Sequence, residues 1–496
     1  MSLPPTLSQI SRRPIWLDDS QATTCAVCQA VKFNMVRRKH HCRACGTIAC
    51  ARCSSKRSLS PKLGYYSAVR ICDNCSEGST LFSVSATVPS APAHGFGERT
   101  KAIQVVESLQ SEAKREGAAS QSTSPSSSSS SPSSSARPTA FTTEGQLHFV
   151  MTGGSSGIGV HVAAALLQLG PNVHLHLGVR RLVEDDREGK VQQSILDAAP
   201  NGALSSSAVG AQVHLYECDL SSFASVRSFA TALLEQSFPL AGAVLGAGIM
   251  GINSHTLTDD GHEIHFQVNY LSHVLLTLLL EPALRRASED ASLPVPRVVA
   301  ISSEAHRMVP VDITDLDSAK AYKMPLVGKW LAHGQSKAAL VTFCAWLPRV
   351  ARRRGYPLRA FSVHPGQTDT SLHRELSKVE KALGGASIGP ASLWYRSPEC
   401  GAATVVYSLL APSLDTLGDE ADANSGYYLR DCSVVAAADH CMDAIVARLL
   451  WNSTTRDIGL AREFGSPRDD EVEPTGLRTT ARQNDGDSGS DEEDLD

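Results

Sequence analysis

The chain has 496 residues, 42% hydrophobic and 20% charged, with 46 Lys+Arg against 51 Asp+Glu for a net charge of −5. These values lie near globular averages, which excludes wholesale disorder, collagen and coiled coil, and the length predicts two to four domains, or fewer with long linkers. Taken whole, the balance gives no sign of a polyanion partner, yet eight of the 13 cysteines fall between Cys25 and Cys75.

Met1–Trp16 carries Pro4, Pro5 and Pro14 and lacks the apolar run of a secretory signal. The longest apolar run, Val274–Leu280, stops at Glu281-Pro282. That is far short of the ~20 residues that cross a bilayer, so no transmembrane segment is expected. A cytoplasmic, reducing setting follows, in which clustered cysteines read as metal ligands and not as disulfides.

Residues 1–78 are basic, with 12 Lys+Arg against four Asp+Glu. Residues 79–145 are rich in Pro, Ala and Ser, including six consecutive serines from Ser126 to Ser131, and read as a linker that cannot bury a core. Within it, Glu98–Glu116 predicts a short amphipathic helix through Ile103, Val106 and Leu109. From 146 to 468, apolar strands such as Leu147–Met151, Val173–Leu177 and Val298–Ile301 alternate with helical segments, the pattern of a parallel α/β sheet with crossover helices. Residues 469–496, with 11 Asp+Glu against two Arg, read as an acidic, solvated tail.

Four C-x-x-C pairs stand in the first segment: Cys25/Cys28, Cys42/Cys45, Cys50/Cys53 and Cys72/Cys75. Zn²⁺ takes four tetrahedral ligands, so eight cysteines predict two closed, structural zinc sites, whose metal supplies much of the folding energy of so small a module. Between the ligands, Arg37-Arg38-Lys39-His40-His41-Cys42-Arg43 crowds cations and imidazoles together, and Arg70 precedes the last pair. Such crowding calls for an anion and points to a phosphate partner, while on charge alone a nucleic acid stays open.

Over residues 14–78 this module resembles the FYVE zinc finger. Trp16-Leu17-Asp18-Asp19 matches the W-x-x-D opening, Arg38-Lys39-His40-His41-Cys42-Arg43 the basic strand, and Arg70-Ile71-Cys72 the closing motif. The resemblance implies a cross-brace, with Cys25, Cys28, Cys50 and Cys53 on one ion and Cys42, Cys45, Cys72 and Cys75 on the other. It also implies binding of phosphatidylinositol 3-phosphate on endosomal membranes and no nucleic-acid partner. Trp16, Asp19, Arg38, Lys39, His40, His41, Arg43 and Arg70 would meet the lipid, and Met35 and Val36 would enter the bilayer. Headgroup contact by His40 and His41 would strengthen binding as pH falls near ~6.5. One module on one lipid is weak, so stable anchoring calls for a homodimer or a second contact.

Further along, Thr152-Gly153-Gly154-Ser155-Ser156-Gly157-Ile158-Gly159 follows a strand and opens an Ala- and Leu-rich helix. A glycine-rich turn there lets backbone amides approach a pyrophosphate, the signature of a Rossmann-type doubly wound sheet. The next strand ends at Gly178-Val179-Arg180-Arg181, where a carboxylate would select NAD and cations accommodate a 2′-phosphate, so NADP(H) is the expected cofactor.

The spacing T-G-x-x-x-G-I-G resembles the short-chain dehydrogenase/reductases. Asp219-Leu220 matches their adenine-side motif, Asn269 their helix Asn, Ser303 their catalytic Ser, and His364-Pro365-Gly366-Gln367-Thr368 their P-G loop. Gly426-Tyr427-Tyr428 and Leu450-Trp451-Asn452-Ser453 resemble the endings of retinol-dehydrogenase-like and WW-domain-oxidoreductase-like members. The resemblance implies cofactor contacts from Gly153, Ser155, Ser156, Gly157, Ile158, Gly159, Arg180, Arg181, Asp219, Leu220, Ala247, Gly248, Lys337, Pro365, Gly366 and Thr368. It implies catalysis by Asn269, Ser303 and Lys337.

Two positions depart from the pattern. Leu245-Gly246-Ala247-Gly248 lacks an Asn that pins the sheet, and the Y-x-x-x-K position reads His333-Gly334-Gln335-Ser336-Lys337. Imidazole is a competent acid/base near neutral pH, but beside Lys337 it tends to be neutral, and its ring is shorter than phenol. Tyr322 reaches the site only from a loop. Two readings result. One is an NADP(H)-dependent oxidoreductase of a lipophilic carbonyl or alcohol, with His333 in place of Tyr and peripheral on endosomal membranes. The other is a domain that binds NADP(H) without turnover, as a membrane sensor or scaffold.

Overall fold

The computed structural model describes residues 24–25, 31–34, 38–42, 48–60, 65–72, 95–122, 137–182, 189–200, 202–324, 327–368, 396–415, 417 and 427–465. The Ser-rich run, the acidic tail, Gly426 and, among the expected site residues, Trp16, Asp19, Cys28, Met35, Val36, Arg43, Cys45 and Cys75 lie outside the described residues.

In the Cys-rich module, β1 (His40–His41) pairs antiparallel with β2 (Ile48–Ala49), and β3 (Arg57–Ser60) with β4 (Tyr65–Arg70). Its buried cluster consists of Cys25, Cys42, Ala49, Cys50, Cys53, Ile71 and Cys72. Cysteine therefore stands where a larger domain would place Leu or Phe, and metal ligation must replace the missing apolar burial.

The remaining elements are α1 (Ala102–Ser122), β5 (Leu147–Thr152), α2 (Ile158–Leu167), β6 (Val173–Val179), α3 (Lys190–Ala198), α4 (Ser206–Gln212), β7 (Val213–Glu217), α5 (Phe223–Leu234), β8 (Leu240–Leu245), α6 (Ser272–Leu279), α7 (Glu281–Glu289), β9 (Arg297–Ile301), α8 (Gly328–Arg353), β10 (Arg359–His364), α9 (Pro398–Leu410), β11 (Tyr427–Arg430), β12 (Ser433–Val435), α10 (Ala444–Asp457) and α11 (Ala461–Phe464). They build an eight-stranded sheet in the order β12-β11-β10-β9-β8-β5-β6-β7. All pairings are parallel except that of β12 on β11. The central strand β8 is apolar and buried throughout because helices cover both faces. On β5, Leu147, Phe149 and Met151 pack toward α1, α2 and α9, whereas Val150 packs toward α5, α6 and α8. The chain reverses its winding between β5 and β8, and that switch opens a crevice at the carboxyl ends of the strands.

The helix expected over Glu98–Glu116 is α1, starting at Ala102. Ala102, Val105, Val106 and Leu109, spaced i, i+3, i+4 and i+7, are fully buried against α2 and α9, while Ile103 is half-buried. Docking on the sheet unit supplies the stability that an isolated helix of this composition lacks. The segment before it is tied down by Lys101–Glu399 at 3.0 Å and Arg396–Glu98 at 3.2 Å. Among the described residues, no helix is long and apolar enough to cross a membrane.

Candidate functional site

A cleft of about 980 Å³ lies at the carboxyl ends of β5, β6, β8, β9 and β10. Of the residues expected to hold a dinucleotide, all but Arg181 line it. The glycines are there for space. A Cβ on Gly159 would stand 2.0 Å from the Gly153 carbonyl oxygen, and one on Gly153, whose φ is +70°, would stand 2.7 Å from the Ala247 amide. Helix α2 begins straight after Gly157 with no side chain capping its amides, leaving an anion-binding end pointed at the cleft. Arg180 lines the β6 end, and so does Lys190 at the start of α3, a cation that sequence reasoning missed. The clue was a lysine ten residues after Arg180 at a helix start.

Asn269 sits in a π turn, Gln267–Leu271, that leads into α6, a local widening frequent at functional sites. It is fully buried and lies behind the cleft wall. Its Oδ1 accepts from the Ile249 amide at 2.8 Å, and its Nδ2 donates to the Ile249 carbonyl at 3.1 Å and to Ser336 Oγ at 3.0 Å. Helix α8 brings His333 and Lys337 to the cleft one turn apart. Lys337 Nζ donates to the Ile301 carbonyl at 2.8 Å, and burial pushes its ammonium down to about 8. His333 Nδ1 donates to the Ile249 carbonyl at 3.1 Å. Ser303 lines the cleft and accepts from the Ala305 amide at 3.2 Å, while neighbouring Ser302 donates to the Lys337 carbonyl at 3.0 Å. A second imidazole on the wall, His364, is pushed down to about 4 by burial, so it is neutral and no acid near neutral pH.

The turn Leu245-Gly246-Ala247-Gly248, which lacks the Asn, is held from β5. Thr152 Oγ1 accepts from the Gly246 amide at 3.0 Å and the Ala247 amide at 3.2 Å, and lies 2.8 Å from His273 Nε2. His273 Nδ1 donates to the Asn269 carbonyl at 2.9 Å, so its Nε2 is the acceptor of the Thr152 hydroxyl proton. Burial holds this imidazole at about 4, fixing it neutral. One fully satisfied network thus joins β5, β8 and the π turn. Tyr322 stands outside the cleft lining, its hydroxyl donating to the buried Glu263 carboxylate at 3.0 Å.

In the zinc-finger module, the Sγ atoms of Cys25, Cys50 and Cys53 lie within 4.8 Å of one another, all buried. Thiolates converging at that spacing fit a tetrahedral Zn²⁺. The amides of Cys50 and Cys72 donate to Cys25 Sγ and Cys42 Sγ, each at 3.2 Å. Arg38 and Arg70 flank His40, and burial with their two charges holds that imidazole below its ordinary range, under the ~6.5 of a free ring. Arg70 also donates to the Ser54 carbonyl at 3.0 Å.

Residues 15–80 match the family model of the FYVE zinc finger, and residues 148–381 that of the short chain dehydrogenases. Over 314 residues the chain is 33% identical to the polyprenol dehydrogenase of Mus musculus, covering 62% of this chain and 83% of that protein. Over 333 residues it is 31% identical to retinol dehydrogenase 13 of Mus musculus, covering 67% and 89%. Among solved structures, the Pseudomonas aeruginosa RhlG/NADP active-site complex is 25% identical, with 55% of this chain and 93% of that one covered at a TM-score of 0.40.

Proposed function

The chain belongs to the short-chain dehydrogenases and carries a FYVE zinc finger, and on that premise we propose that it is an NADP(H)-dependent oxidoreductase of lipophilic alcohols or carbonyls, held on phosphatidylinositol 3-phosphate membranes of endosomes. The observation that carries the reading is the convergence of His333, Lys337 and Ser303 with the glycine-rich turn in one cleft. NADP over NAD is supported by Arg180 and Lys190, two cations at the end of the cleft where a 2′-phosphate would need them. A lipophilic substrate is supported by the apolar wall that continues from Ile249 through Met250, Ile252, Ile264 and Val268. The names of the relatives, for polyprenol and retinol, agree with an alcohol.

The bound dinucleotide supplies the hydride acceptor or donor. Lys337 anchors its ribose, Ser303 orients the substrate oxygen, and His333 moves the proton, while the buried Asn269 holds the Ile249 backbone on which His333 rests. Two zinc ions would hold the N-terminal module, one on Cys25, Cys28, Cys50 and Cys53, the other on Cys42, Cys45, Cys72 and Cys75. Arg38, Lys39, His40, His41 and Arg70 would then face the headgroup, with a dimer adding avidity.

The test is co-sedimentation with vesicles that contain or lack phosphatidylinositol 3-phosphate, assaying NADP⁺-coupled oxidation of a lipophilic alcohol in pellet and supernatant. Activity should follow the lipid into the pellet and return to the supernatant with Arg38→Ala. Activity indifferent to the lipid would contradict membrane recruitment. Dinucleotide binding with no turnover, restored by His333→Tyr, would favour the sensor or scaffold.

A further inference from the structure

We propose that the acidic segment Asp469-Asp470-Glu471-Val472-Glu473 docks on an arginine face at the carboxyl end of α8, so that the chain covers its own cationic surface. The sequence separates the two charges sharply. Between Asp317 and Asp369 there is no Asp or Glu, and Arg349, Arg352, Arg353 and Arg354 crowd together within that stretch. Beyond α11, Asp469, Asp470, Glu471 and Glu473 stand almost side by side.

An α-helix turns by about 100° per residue, so Arg349, Arg352 and Arg353 fall within an arc of about 100° on α8. Arg349 and Arg353 both lie against the buried Trp346 ring, each guanidinium carbon 5.9 Å from its centroid. The ring orients two cations on one side of the helix without offsetting their charge. Arg352 and Arg353 are exposed. The helix C-terminus attracts them, but with only about half an elementary charge.

The carboxylates packed around this end serve other arginines. Glu281 accepts from Arg354 Nε at 2.7 Å and Nη2 at 2.6 Å and lies 3.6 Å from Arg285. Glu289 lies 3.9 Å from Arg285, and Glu463 lies 4.0 Å from Arg354. Among the described residues, no carboxylate is within 4.0 Å of Arg352 or Arg353.

The chain leaves the sheet unit at this same place. The Phe464 carbonyl accepts from Trp451 Nε1 at 2.6 Å, and the Phe464 ring lies 4.3 Å from the Arg354 guanidinium carbon. Arg354 Nη1 also donates to the Glu463 carbonyl at 3.0 Å. Gly465 therefore departs beside the residue that follows Arg353. From there Asp469 is four residues away, at most about 14 Å of extended chain. Exposed ion pairs are individually weak, but so short a tether presents the four carboxylates at an effective concentration on the order of millimolar or above.

The test is made on the full chain with phenylglyoxal, which modifies accessible guanidinia, read by mass spectrometry. At low salt Arg352 and Arg353 should react about threefold or more slowly in the parent than in D469N/D470N/E471Q/E473Q, and high salt should abolish the difference. Arg456, 71% exposed, should react alike in both proteins. Equal rates at Arg352 and Arg353 overturn the proposal. From the other side, R352Q/R353Q should speed trypsin cleavage after Arg468 by a similar factor, and unchanged cleavage overturns it. Protection that disappears on dilution would put the segment of a second copy on this face, overturning the contact within one chain. Arginines open in the parent and covered only on adding phosphatidylserine vesicles would give the face to an anionic membrane, overturning the acidic segment as its occupant.

Discussion

Thr152 and His273 hold the Gly246–Ala247 turn against β5. Two backbone amides, of Gly246 and Ala247, end on a single hydroxyl oxygen, whose proton goes to an imidazole held neutral by burial. Removing that oxygen strands both amides at once. Thr152→Val should therefore lower the unfolding free energy by about 2–4 kcal/mol, whereas Thr152→Ser should stay within about 1, as read by urea denaturation. If Val costs no more than Ser, the hydroxyl is not what holds the Gly246–Ala247 turn. Within the cleft, burial lowers Lys337 to about 8 and His364 to about 4, so His364 is neutral near neutral pH.

At the scale of elements, strands β5, β6 and β7 carry four imidazoles on one face, His148, His174, His176 and His214, at the end of the sheet away from the cleft. His148 lies opposite His174, and His176 opposite His214. The rings stack at 5.0–5.6 Å, with N···N contacts of 3.0 Å between His148 and His176 and 3.3 Å between His174 and His214. Burial, then the neighbouring rings, pushes His148 to about 4 and His176 to about 3, and lowers His214. These folded values lie below the ~6.5 of an unfolded histidine, so unfolding takes up protons. The stability they permit is fully present above about pH 6.5 and is lost as pH falls toward the folded values. For His176 the slope is up to about 1.4 kcal/mol per pH unit. His176→Phe, which keeps the stacking on Phe238 at this site, should flatten the loss between pH 7 and 5 in chemical denaturation. An unchanged slope would locate the acid sensitivity elsewhere. The alternation of apolar strands and helices made the parallel sheet legible in the sequence, but not this ladder. Its members are 26 to 40 residues apart on adjacent strands and meet only once the register is set. Helix α1 was legible as a helix and not as part of the core, because its seam needs the groove between α2 and α9 to have a use.

For the whole molecule, a net charge of −5 conceals +8 over residues 1–78 and −9 over 469–496. The opening inference of no polyanion partner fails for the first module, where Arg38 and Arg70 converge on His40. The cysteine spacing and the glycine-rich turn were readable because each is a local pattern of chemistry. Lys190, the Thr152–His273 network and the contact of His333 with the Ile249 carbonyl were not, since each depends on partners brought together by folding. The central claim is that His333 moves a proton in a cleft that holds the dinucleotide independently of it. The measurement that meets it most directly is NADPH binding and NADP⁺-coupled turnover in the same preparations of parent and His333→Ala. The account predicts unchanged binding within a few-fold and turnover lower by about 10²-fold or more. Equal turnover in the two proteins would contradict it.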